Sequence, residues 1–241
     1  MKTNIIYNEN CLETMKNHIN KNCVDLILTS PPYNIADKSI AYDVYEDKKS
    51  FEDYSNFILE CFKGFSQMLK KGGIVIWNWS YGNNNISEFF ILLARIIQES
   101  DFEIIDRLIW KKKSAKPDNL TSYRLTRIVE DVFIFRRKGE EIKVNKQISS
   151  IRKTGQKMYS PIFNFIEAKN NDFSNELNKA TFSSELVLKL LNVYCKNNYL
   201  IYDPFMGTGT TAVGVKMFGG GVNILGLKFL ENKLNMLKKE Y

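Results

Sequence analysis

The chain has 241 residues, 44% of them hydrophobic, enough for one domain with a substantial core or one domain carrying a small insertion. Its net charge of +7 and isoelectric point near 9.0 suit a polyanionic partner. Cys11, Cys23, Cys61 and Cys195 show no C-x-x-C spacing and His18 is the single histidine, so neither a metal site nor a disulfide framework is expected.

No signal peptide opens the chain and no apolar run reaches membrane-spanning length, so a reducing cytoplasm is the expected setting. Residues 4–7 read as a short strand, 11–19 as a helix, and 24–28 as a second strand. That strand delivers the loop Thr29-Ser30-Pro31-Pro32-Tyr33-Asn34, in which two prolines fix the backbone and remove two N–H donors. A loop of this kind holds its shape. Ser30 and the Pro31 carbonyl are then acceptors for a planar amino group, and Tyr33 offers a ring face on which a base can stack. Taken alone, Ser-Pro-Pro-Tyr is also an ordinary turn.

Residues 34–50 are irregular and polar. Helical periodicity runs over 51–69, with Gly72-Gly73 expected to end it. A strand at 74–79, a helix at 86–98, an apolar run at 102–110 and a β-like segment at 132–135 follow. This alternation predicts an α/β fold, a doubly wound and mostly parallel sheet with helices on both faces, forming a single domain over 1–241. Residues 136–180 break the pattern. Arg136, Arg137 and Lys138, then Lys143, Lys146, Arg152, Lys153 and Lys157, are interleaved with Tyr159, Phe163 and Phe165. Such a run is ordinarily a solvated loop face.

Beyond it, a strand at 199–202 leads into Asp203-Pro204-Phe205-Met206-Gly207-Thr208-Gly209-Thr210-Thr211, which opens a helix. Gly207 and Gly209 let the backbone approach a ligand closely. The segment lacks the Gly-Lys-Thr ending of a phosphate-binding loop, which argues against a nucleoside triphosphate.

These two segments, in this order, resemble those of the β-class DNA amino-methyltransferases, and the similarity extends over most of the chain outside 136–180. The resemblance implies a Rossmann-like methyltransferase fold, S-adenosylmethionine as cofactor and double-stranded DNA as substrate. It implies catalysis by Ser30, Pro31, Pro32 and Tyr33. It also implies cofactor contacts from Asn10, Cys11, Thr29, Thr181, Ser183, Asp203, Phe205, Gly207, Thr208, Gly209, Thr210 and Glu231. Ser183 and Ser184 read equally well as helix caps.

Residues 136–180 fall where the family carries its target-recognition region. At about forty residues this region is small for an interface of on the order of 1,000 Å², so residues 34–50 and 111–127 or a second subunit are expected to assist. A homodimer and a cognate restriction endonuclease are the other partners the resemblance suggests. Two departures stand out. Asn10 replaces an acidic residue, and Lys228 stands where the family has a carboxylate for the ribose, a role that Glu231 is placed to assume. Serine at position 30 is associated with cytosine-N4 more than adenine-N6 methylation, so cytosine is the expected target, with adenine the alternative. Lys228 motivates a further alternative, a catalytically silent nucleic-acid-binding subunit.

Overall fold

A computed structural model describes residues 3–34, 48–81, 85–115, 117–118, 122–170 and 182–227. Among the described residues eight strands form one sheet in the order β1-β10-β9-β2-β3-β5-β4-β8. They are β1 (Ile5–Tyr7), β2 (Val24–Thr29), β3 (Leu69–Trp79), β4 (Phe102–Lys112), β5 (Val129–Arg137), β8 (Phe165–Ala168), β9 (Leu200–Asp203) and β10 (Asn223–Leu227). All run in one direction except β5, which is antiparallel to both of its neighbours.

The central strands are apolar at nearly every position because helices cover both faces. On one face α1 (Cys11–Asn17), α2 (Phe51–Met68) and α3 (Ile86–Glu99) pack against Ile27, Val75, Trp77, Phe133, Phe135 and Tyr202. On the other, α4 (Ser184–Tyr194) and α5 (Thr210–Phe218) cover Leu26, Leu28, Ile76, Ile134 and Ile201. The doubly wound, mostly parallel sheet expected from the sequence is therefore present. β2 and β9 lie side by side at its centre, with Leu26 opposite Ile201 and Ile27 opposite Tyr202. Both candidate ligand loops thus leave the same sheet edge, at a point where the strand order reverses, the usual place for a ligand in an open α/β sheet.

Three sequence expectations need correction. Gly72-Gly73 does not end α2, which stops at Met68 and passes directly into β3. The glycines lie instead in a bulge of β3, where Val24 pairs with Leu69 but Leu26 pairs with Ile74. Gly72 has φ +75°, and a Cβ on Gly73 would fall 3.1 Å from the Asp25 carbonyl oxygen, so the bulge needs both residues small.

Second, strand and helix do not alternate throughout, since β4 and β5 pair antiparallel with no helix among the described residues between them.

Third, residues 136–170 are more ordered than their weak periodicity indicates. Arg136 and Arg137 finish β5. Arg137 donates to the carbonyls of Ser66, Leu69 and Lys70, Arg136 pairs with Glu103, and Lys138 donates to the Ser100 carbonyl. These three cations hold the fold together. A separate hairpin of β6 (Ile148–Ile151) and β7 (Lys157–Tyr159) follows, both strands largely exposed, before β8 rejoins the sheet beside β4.

Candidate active site

The loop after β2 is seated by its neighbours. Pro31 and Pro32 are buried, and the Tyr54 hydroxyl donates to the Pro32 carbonyl at 2.6 Å. Pro31 therefore presents the adjoining carbonyl from a backbone pinned on both sides. Ser30 Oγ lies 2.9 Å from the Tyr33 hydroxyl. The Tyr33 hydroxyl donates to Glu130 Oε2 at 3.1 Å. Asn78 Nδ2 reaches all three groups, at 3.3 Å to Ser30 Oγ, 2.9 Å to Tyr33 and 2.9 Å to Glu130 Oε2. The other oxygen of Glu130 is bound by Lys112.

Strand direction explains this assembly. Asn78 and Lys112 stand at the ends of β3 and β4, and Glu130 stands at the start of β5, which the reversed strand brings to the same edge. Tyr33 packs its ring against the core cluster beneath α2 and α3, half-buried, and lines a narrow crevice with Trp79, Asn85 and Phe89. The Oδ1 atoms of Asn78 and Asn85 are buried without a partner.

Across the β2–β9 seam, Asp203 ends β9 fully buried. Its Oδ1 accepts from Thr29 Oγ1 at 2.5 Å and from the Phe205 N–H at 2.9 Å, while Oδ2 accepts from Thr211 Oγ1. Burial nevertheless outweighs those three donors and pushes its carboxyl from 3.8 up to about 6. The Thr29–Asp203 bond ties the two candidate loops together.

Phe205 turns inward, edge-on to Trp77 and Phe57 at 6.2 and 5.9 Å. The chain then opens outward at Gly207, φ +55°, where a Cβ would meet nothing nearer than the Phe205 carbonyl oxygen at 3.8 Å. Gly209, φ +90°, starts α5 without a side-chain cap, so the first N–H groups of that helix also face this turn. Thr208 and Thr210 are buried, with hydroxyls 3.5 Å apart.

A model of the N6/N4 DNA methylase family matches residues 24–222. The chain belongs to this family. It is an S-adenosylmethionine-dependent DNA amino-methyltransferase of the β class. The type II methyltransferase M.MthZI of Methanothermobacter thermautotrophicus is 23% identical over 253 residues, covering 90% of this chain and 71% of its own length. Type II methyltransferase M2.MboI of Moraxella bovis is 24% identical over 248 residues, covering 98% of this chain and 86% of its own. Among solved structures, the PvuII DNA methyltransferase, cytosine-N4-specific, superimposes with a TM-score of 0.73 at 18% identity, covering 97% of this chain and 84% of that one. M1.HpyAVI in complex with S-adenosylmethionine gives 0.61 at 21%, covering 98% and 97%.

The edge fits a cofactor of this kind. It offers an open glycine turn at 207–209, uncapped helix N–H groups, and an exposed Asn10 at the far side after β1. Asn10 Oδ1 caps α1 through the Leu12 N–H at 2.9 Å, and a carbonyl oxygen has a second lone pair to give.

The side chains of other residues expected at the cofactor site are engaged within the protein. Cys11 is buried with its sulfur 3.9 Å from that of Cys61, and Thr29 and Asp203 satisfy each other. Ser183 is spent on capping α4, accepting from the Leu186 N–H and donating to the Lys169 carbonyl. Thr181, Lys228 and Glu231 lie outside the described residues. Asn78 and Lys112 are site residues that sequence reasoning did not single out; Glu130 opens the segment 130–135, which the family resemblance sets beside the target pocket, but without a role of its own. Their mark in the sequence is slight: an amide inside the apolar run 74–79, and a carboxylate opening another.

Proposed function

We propose that this methyltransferase acts on the exocyclic N4 of cytosine in duplex DNA at a specific site, after the base leaves the helical stack. The observation that carries the reading is Ser30, a neutral hydroxyl rather than a carboxylate, fixed at the loop tip by Tyr33 and Asn78. The amino nitrogen is a poor nucleophile because its lone pair is delocalised into the ring. When bound, S-adenosylmethionine supplies an electrophilic methyl group.

Ser30 Oγ and the Pro31 carbonyl accept hydrogen bonds from the two amino hydrogens, drawing the nitrogen toward tetrahedral geometry and localising its lone pair. These bonds strengthen as positive charge develops, so they favour the transition state over the bound ground state. The Thr29–Asp203 bond holds the base-binding loop against the cofactor loop, and alignment of this type contributes several kcal/mol, roughly, to lowering a barrier. Moving a base out of the stack costs on the order of a few kcal/mol, which stacking on Tyr33 partly offsets.

The exposed β6–β7 hairpin, with Arg152, Lys153 and Lys157 at and beside its turn, supports a role in DNA contact within the 136–180 interval.

DNA from a host expressing the chain, digested to nucleosides and analysed by mass spectrometry, is expected to contain N4-methylcytosine. N6-methyladenine would overturn the choice of base, and unmodified DNA beside measurable S-adenosylmethionine binding would favour a silent subunit. Ser30→Ala is expected to slow single-turnover methyl transfer by at least roughly tenfold with cofactor affinity unchanged.

A further inference from the structure

We propose that Glu130, held by Lys112 and Asn78, is a positioning residue for methyl transfer that sets the direction of the Ser30–Tyr33 hydroxyl chain and takes up the proton lost by the methylated nitrogen. The inference rests on Ser30 being the amino-group acceptor and is indifferent to which base carries that group.

The geometry gives the chain a direction. A hydroxyl has one proton, and the Tyr33 proton points to Glu130 Oε2 at 3.1 Å. The Tyr33 oxygen is left as an acceptor, 2.9 Å from Ser30 Oγ, so the Ser30 proton points to Tyr33. Asn78 Nδ2, whose two hydrogens are shared among Ser30, Tyr33 and Glu130, is a donor only and accepts nothing on this side. Ser30 is thereby left with an oxygen lone pair toward the space where an amino group arrives. A serine without this arrangement could equally present its proton, which an amino group cannot use productively.

The same line of atoms is a route out for a proton. After methylation the nitrogen carries a positive charge and an acidic hydrogen. As its N–H bond breaks, an O–H bond forms at Ser30, the Ser30 proton moves to the Tyr33 oxygen, and the Tyr33 proton moves to Glu130 Oε2. The nitrogen becomes neutral and Glu130 is protonated, with no other reactant required. The Glu130 side chain is 10% exposed and that of Lys112 23%, so the proton then passes to water at the rim of the site.

A carboxylate this deeply placed suffers a desolvation cost that a purely structural position would avoid with an apolar side chain. Lys112 by itself would satisfy only Oε1. The placement of Oε2 between Tyr33 and Asn78 is what the proposed role requires.

The test compares Tyr33→Phe, Glu130→Gln and the double variant in the full chain, on duplex DNA that the parent methylates. Single-turnover rates are measured beside dissociation constants for S-adenosylmethionine and DNA. Each single variant should slow methyl transfer by at least roughly tenfold while both dissociation constants stay within about twofold, and the double variant should be no slower than the slower single. A parental rate in Tyr33→Phe, which keeps the ring and removes only the hydroxyl, would overturn the proposal, as would losses that multiply in the double variant. Should Glu130→Gln not fold by circular dichroism, Tyr33→Phe decides the matter alone. The modified nucleoside made by the parent reports separately on the choice of cytosine, so one reading can fail without the other.

Discussion

Asp203 accepts three hydrogen bonds in a place from which water is excluded, and the two effects oppose each other. Burial prevails and lifts its carboxyl from 3.8 to about 6. Between these values the folded chain binds more protons at this position than the unfolded chain does, so this contribution to stability falls as pH rises from about 4 to about 6 and is level above that. The rise corresponds to on the order of 3 kcal/mol. Asp203→Asn removes the titration while its amide oxygen can still accept from Thr29 and Phe205 and its amide nitrogen can donate to Thr211. Denaturant unfolding at pH 4 and pH 7 should therefore show the parent losing stability relative to the variant across that interval. A parent that gains relative to the variant would mean that the three donors, rather than burial, control the group. Sequence reading placed Asp203 among the residues lining the cofactor site but not its bond to Thr29, because nothing local marks a partner 174 residues away.

Among the elements, the turn between β9 and α5 is the one whose geometry depends most on residue type. Gly207 at φ +55° combines a left-handed backbone with open space on its Cβ side. A valine there would strain the backbone as well as obstruct a ligand, so it confuses two effects. Asparagine separates them, since Asn4, Asn22, Asn34 and Asn198 already adopt φ between 52° and 64° in this chain. Gly207→Asn is expected to change unfolding free energy by less than about 1 kcal/mol and weaken S-adenosylmethionine binding at least roughly tenfold, by calorimetric titration. Unchanged affinity in a folded sample would remove the turn from the cofactor site.

The segments flanking this turn were legible because an apolar, β-like run leads into the glycine motif, and β2 with its proline loop was legible from a similar apolar run. The β3 bulge and the β4–β5 pairing were not. Both depend on partners distant in the chain: Glu140 for the Gly72 N–H, and the whole of β4 for β5. The partners of Glu130 were hidden likewise, since only the reversal of β5 brings its first residues to the sheet edge that carries Ser30 and Tyr33.

For the molecule as a whole, the net charge of +7 matters where cations are free to meet phosphates. Arg136, Arg137 and Lys138 are occupied by the fold, whereas Arg152, Lys153 and Lys157 are exposed on the hairpin. Replacing these last three with glutamine should lower DNA affinity and flatten the plot of log affinity against log salt by about 0.9 for each phosphate that is no longer neutralised. S-adenosylmethionine binding should be unaffected, and an unaltered salt slope would place the DNA on another surface.

The central seam of the sheet has a further consequence, for synthesis. Leu26 cannot meet Ile201 until the residues between them have been made, and closing so long a loop is slow. Until β9 arrives, β2 is an open edge whose apolar residues Leu26, Ile27 and Leu28 are available for association with other chains. The loop of Ser30 to Tyr33 exists early but stands alone, without Asp203 to brace it. A chain from which Asp203 has not yet emerged therefore lacks the brace between its two loops, and that interval is when the apolar edge of β2 is most exposed to aggregation and to chaperones.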